Sequence, residues 1–296
     1  MRLRRLYQGT AVALSLLMVG TCGAFTRSVK ADSVDSNKKY LAMGADLTPS
    51  EKKKVMNYLS VDPDDASDYT IIRVTNSEEH SYLDSYLSKS VIGSRALSSV
   101  TVEETDDGDG IDVKTTNISY CTEDMYKNAL ATAGVKNAEV NVAGPFKISG
   151  TAALVGVMKA YEKMTGKKIP EESKDAATNE LVTTGEVGEN IGKDDASKLI
   201  ASVKEKVADG DLTSASDIKQ AITDSAEELN IKLSDEDRQK IEDLMNKISD
   251  LDLDVDQLKD QAKDIYDKIS NIDTNGILDK IANFFQKILD AIKGFF

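Results

Sequence analysis

Residues 98–118 read SSVTVEETDDGDGIDVKTTNI. Val100 and Val102 on one side, and Ile111 and Val113 on the other, alternate with polar residues around an Asp/Gly cluster at 106–110. Alternation at a period of two marks strands that bury one face, and an Asp/Gly turn between two such runs predicts a β-hairpin. The pairing of these two strands decides the fold, because the flanking elements then fall into order around them.

Upstream, YTIIRVT (69–75) is rich in β-branched residues and reads as a buried strand. NSEEHSYLDSYLSK (76–89) reads as a helix, with Asn76 and Glu79 in capping-box spacing and Tyr82, Leu83, Tyr86 and Leu87 on one face. Earlier still, LTPSEKKKVMNYL (47–59) offers Thr48 as cap, Pro49 at the first helical position and Glu51 to close the box. Downstream, CTEDMYKNALATAG (121–134) is a helix capped by Thr122 and stopped by Gly134. NAEVNVAG (137–144) is a strand, and SGTAALVGVMKAYEKMTG (149–166) is a helix capped by Ser149. From residue 69 the order is strand, helix, strand, strand, helix, strand, which is that of a ferredoxin-like β-α-β-β-α-β sandwich with its helices on one face. The expectation is an α+β chain whose N-terminal domain spans 38–168.

Beyond Pro170 the composition turns to Lys, Asp, Glu and Ala, and the spacing predicts helices over 171–183, 194–209, 214–229 and 235–249. TGEVGENIG (184–192) reads as a loop between two of them. From Ile241 to Ile272 apolar residues alternate at three and four, as in a coiled coil. SDLDLDVDQ (249–257) interrupts that stripe with poor helix formers, so two helices with a turn near 250–255 are preferred over one. A helical domain over 169–272 follows, then a C-terminal amphipathic helix in 273–296.

Residues 1–31 form a basic leader (Arg2, Arg4, Arg5), an apolar core and a small-x-small site ending at Ala31, the pattern of a secretory signal peptide. The whole chain carries a net charge of −14, and loss of the leader's five basic residues makes it −19. Such a surface repels phosphate backbones and excludes nucleic acid as a partner. Cys22 leaves with the leader, so Cys121 has no intramolecular partner. A secreted chain without bridges and with a short leader fits a Gram-positive-like exporter, extracellular or attached to the cell envelope.

The search for chemistry returns no catalytic set, cofactor or metal. His80 is the sole histidine, read as an exposed helix-face residue. Cys121 lies at a helix N-terminus, where a dipole lowers a thiol pKa, but a buried structural role is the simpler reading. One His and one Cys cannot build a zinc site. TDDGDGIDV and DLDLDVDQ lack the glycine and glutamate positions of an EF-hand. GPFKISGT lacks the lysine of a phosphate loop. A carboxylate-dependent hydrolase stays open as the alternative, because acid pairs are too numerous to choose among.

The last sixteen residues, IANFFQKILDAIKGFF (281–296), hold four of the six phenylalanines. Phe284, Phe285, Ile288, Ile292, Phe295 and Phe296 belong to a wide apolar stripe at helical period, opposite a face of net charge +1. Burying four Phe side chains is worth about 6–12 kcal/mol, so this stripe is expected to leave water. The expected outlets are a membrane interface, a protein partner or self-association, with docking on the chain's own helices as the alternative.

Through GADLTPSEKKKVMNYL (44–59) and ISYCTEDMYKNALATAGVKNAEVNVAGPFKISGTAALVGVMKAYE (118–162), the chain resembles the YpuA-like secreted proteins of Firmicutes, the domain of unknown function 1002 family. The resemblance covers most of the chain after the leader. It implies an exported bacterial protein and supplies no catalytic residues.

Overall fold

The computed structural model describes residues 39–209 and 214–270. Residues 1–31, expected to be a signal peptide, and the terminal stretch 273–296, including all six residues expected to serve association, lie outside the described residues.

Five strands form one mixed sheet: β1 (Lys39–Gly44), β2 (Tyr69–Val74), β3 (Ser99–Glu104), β4 (Ile111–Ile118) and β5 (Ala138–Ile148), in the order β2-β1-β3-β5-β4. β1 runs parallel to β2 and antiparallel to β3, β3 is antiparallel to β5, and β5 is parallel to β4. The chain is therefore α+β, but the expected hairpin does not form. β5 lies between β3 and β4, with Val142 opposite Val100 on one side and Val140 opposite Val113 on the other. A ferredoxin-like sandwich keeps those two strands adjacent and is antiparallel throughout, so the strand order here differs from it. The reason is local chemistry at the turn. Asn137, just before β5, accepts from the Gly108 and Gly110 N–H groups and donates to Asp107, which seats β5 beside the turn between them.

One strand is unforeseen, and two further readings are corrected. β1 carries KYLAMG, a short apolar run with no turn signal before it, and it takes an interior place in the sheet. β2 is an edge strand rather than a buried one, and Ile71 on it is 54% exposed. Helices also cover both faces. Tyr40, Ala42, Val100, Val102, Val140 and Val142 pack with α4 (Glu123–Thr132) and α5 (Thr151–Thr165). Leu41, Met43 and Ala143 point the other way, against Val55, Met56 and Leu59 at α1 (Pro49–Tyr58). β4 and β5 slip register at Asn117, whose positive φ of 60° is one that asparagine tolerates, and its amide donates to Gly144 O at 3.2 Å.

Past the short helices α2 (Asn76–Leu83) and α3 (Lys89–Ile92), the helical part comprises α6 (Glu171–Ile191), α7 (Lys193–Ala208), α8 (Ala215–Glu228), α9 (Asp235–Ile248) and α10 (Val255–Ser270). α6 continues through the stretch expected to be a loop. Its glycines serve close approach: a Cβ on Gly185 would lie 2.6 Å from Cζ of Tyr120, and one on Gly188 2.9 Å from Cα of Lys193. The apolar stripe from Ile241 onward breaks between α9 and α10, and its parts face different neighbours. Ile241, Leu244 and Ile248 join the core of α6 to α9, Leu258 joins the sheet core, and Ala262 and Ile265 pack on Ala201.

α4 is buried from Met125 through Thr132, polar residues included. Sheet and α5 cover one side; α6 and α7 cover the other. At that junction Lys204 donates to Glu180 Oε1 (2.8 Å), Asn128 O (2.8 Å) and Thr132 Oγ1 (3.1 Å), and Thr132 donates to the second Glu180 oxygen. Burial pulls the lysine down and the glutamate up from their ordinary values, while mutual attraction opposes both shifts. A buried charge costs several kcal/mol unless its bonds are all made, and here the three lysine donors each find an acceptor.

Candidate functional site

β5 delivers the chain into α5 at a turn beside Cys121, whose N–H donates to Ser149 O at 3.1 Å. Gly150 sits there at φ 97°, and Tyr126 donates its hydroxyl to Gly150 O at 2.6 Å. A Cβ on Gly150 would fall 2.6 Å from both the Tyr126 hydroxyl and an Ile118 methyl, so glycine is required for space as well as backbone. Ser149 does not cap α5 as expected; its hydroxyl faces Thr151 Oγ1, while Ser98, from the approach to β3, accepts from Ala153 N at 2.9 Å.

A cleft of about 300 Å³ opens beside this turn, with Glu79, Arg95, Phe146 and Gly150 in its wall. Glu79 is on the first turn of α2, capped one residue earlier than expected by Thr75 with Glu78. Its buried carboxyl accepts from Thr151 Oγ1 (2.6 Å) and Asn76 Nδ2 (3.3 Å). Burial raises its pKa, and these hydrogen bonds only partly offset that. Arg95 holds the far wall by donating to Glu51 Oε2 and Asp46 O, both at 2.7 Å. Phe146 is 48% exposed.

His80 and Cys121 flank this region without converging on a substrate position. The His80 ring spans two acceptors, Asp84 Oδ1 (2.6 Å) and Gly93 O (3.1 Å), and its pKa is raised chiefly by Asp84. A ring facing two acceptors is satisfied as a cation donating to both, which leaves no nitrogen free to take a proton. Cys121 is buried and its thiol is pushed up to about 12 by desolvation, so it is not a thiolate at neutral pH. That matches the structural reading of Cys121, whereas His80, expected on an exposed helix face, is only partly exposed and is held between Asp84 and Gly93.

A second, larger cleft, about 690 Å³, was not legible in the sequence. It brings together the two aspartate-rich stretches noted separately above: Asp107 and Asp109 of the 107–110 turn, and Asp254, Asp256, Asp260 and Asp264 leading into and along α10. Lys136 pairs with Asp254 at 2.7 Å, and Gln257 donates to Val135 O at 2.6 Å, which docks α10 on the segment after α4. Gln261 at the cleft wall is 8% exposed, and neither its Oε1 nor its Nε2 has a hydrogen-bond partner. Among the described residues no three His, Cys, Asp or Glu side chains are grouped to hold a metal ion. None of the described helices is long and apolar enough to cross a membrane.

Two comparisons place these features. A family model described as "Protein of unknown function (DUF1002)" matches residues 43–265. The chain is 42% identical over 261 residues to "Uncharacterized protein YpuA" of Bacillus subtilis (strain 168), covering 86% of this chain and 89% of that protein. No solved structure matches.

Proposed function

This chain belongs to the DUF1002 family of proteins of unknown function, and from that premise we propose that it is an exported protein of the cell envelope or extracellular space that acts by association rather than catalysis. The observation that carries this reading is the terminal stripe, in which Phe284, Phe285, Ile288, Ile292, Phe295 and Phe296 recur at helical spacing in a chain with six phenylalanines and no tryptophan. Its polar residues add a local charge of +1 within a chain of net −14, which suits an anionic surface that the rest of the protein repels. The occupied ring nitrogens of His80 and the buried thiol of Cys121 lend support, because neither residue is poised as base or nucleophile.

The rival reading, a secreted carboxylate-dependent hydrolase, has Glu79 in its favour: a carboxyl with a raised pKa lining a cleft. Two-carboxylate chemistry needs a second acid across the gap, and the other residues lining this cleft are neutral or basic.

The test compares the full chain with a version stopped after Asn275, by vesicle co-sedimentation and thermal unfolding. Association through 277–296 is expected to vanish on truncation while the melting temperature stays nearly unchanged. If the stripe is ordinary core, truncation lowers the melting temperature by many degrees, at about 2–4 °C per kcal/mol for a chain of this size, and the proposal fails.

A further inference from the structure

We propose that the acidic cleft between the 107–110 turn and the first half of α10 binds a short basic peptide segment, with lysine or arginine side chains on the aspartates and one peptide unit on Gln261. Six aspartates and two lysines line the cleft, and Lys136 is already engaged by Asp254. Asp256, Asp260 and Asp264 follow one another at four-residue steps of α10, so their carboxylates form a row rising about 6 Å per step. Side chains on one face of an extended peptide repeat every second residue, about 6.6–6.8 Å apart. An extended basic segment laid along α10 thus meets the row nearly in register.

Gln261 sets the class of ligand. An amide with both its donor and its acceptor unpartnered, in a side chain 92% buried, asks for an acceptor and a donor side by side. A peptide unit offers that pair, with its C=O to Nε2 and its N–H to Oε1. A free polyamine offers donors only, and a bare metal ion finds no group of three acids here. The opposite wall is held in shape before any ligand arrives, because Asn137 ties Asp107, Gly108 and Gly110 together.

The site is independent of the terminal stripe, so its test separates the two ideas. An end-blocked, fluorescently labelled hexalysine peptide is titrated with the full chain at low and at physiological salt, with spermidine as competitor. Saturable binding is expected, weakened about tenfold or more by the triple change Asp256→Asn, Asp260→Asn, Asp264→Asn and also by salt. Gln261→Leu is expected to weaken peptide binding severalfold without changing the effect of spermidine, and to keep its melting temperature because it removes an unsatisfied buried amide. Should the triple variant melt early, Asp260→Asn alone carries the comparison. The chain stopped after Asn275 is expected to bind the peptide as the full chain does. The proposal is overturned by absence of saturable binding, by wild-type affinity in the aspartate or Gln261 variants, by peptide displacement at equal concentrations of spermidine, or by loss of binding on truncation.

Discussion

At the scale of single residues, Glu205 of α7 makes stability depend on pH. It is 3% exposed, its Oε2 has no hydrogen-bond partner, and burial pushes its carboxyl from 4.5 up to about 7. Between those values the folded state holds a proton that the unfolded state has released, so stability falls as pH rises from 4.5 through 7. Glu205→Gln cannot ionise. It is expected to match the parent at pH 5 and to melt several degrees higher at pH 8, measured by circular dichroism. Equal melting temperatures at both pH values would show that Glu205 finds a partner on ionising. Residues of this kind are invisible in sequence, where Glu205 is one of 51 acids. His80 and Cys121 were legible, because each is alone of its type beyond residue 31 and its chemistry could be weighed by itself. The Lys204–Glu180 bond was not, since it joins two helices 24 residues apart through a helix from the other half of the chain.

At the scale of elements, helix starts were the most readable feature, because a cap is a matter of four consecutive residues. Thr48 and Thr122 each accept from the backbone N–H three residues on, as their sequences imply. Strand neighbours were the least readable. The Asp/Gly cluster does turn the chain, with Asp109 N bonded to Asp106 O, yet its two strands part to admit a third from 27 residues later. Glycine misled in α6 for a related reason, since the residue that breaks an isolated helix also lets a packed one come close. The pairing of Gly185 with Tyr120 gives a direct test. Tyr120 is partly buried and its hydroxyl lacks a partner, so Tyr120→Phe is expected to be neutral or stabilising. Gly185→Ala pushes a methyl into that ring and is expected to cost about 1–3 kcal/mol. The double variant recovers part of the loss when urea unfolding is compared. If Gly185→Ala is harmless on its own, close contact is not why glycine stands there.

At the scale of the whole molecule, the sheet and the helical part share one core: Ala177, Leu181 and Leu258 pack in the same cluster as Val100, Val140 and Leu154. The composition shift near Gly166 marks where strands stop, and a core that crosses it leaves no trace in composition. Unfolding of the full chain is therefore expected as a single transition, and residues 39–168 made alone are expected to lack a cooperative melt, because α4 would present Asn128, Thr132 and its apolar outer side to water. A sharp melt of that fragment would instead establish 38–168 as a self-sufficient domain. The interior position of β1 bears on the chain's birth as well as its end state. β1 is made before every other described element, yet its partners β2 and β3 emerge only later, and the Gln257 to Val135 bond closes across 122 residues. Synthesis at about 5–20 residues per second leaves the growing polypeptide on the order of ten seconds or more with an open sheet and a half-covered α4. During that interval the growing chain is expected to be open to proteolysis, and that sensitivity is expected to fade once α10 (Val255–Ser270) has been made.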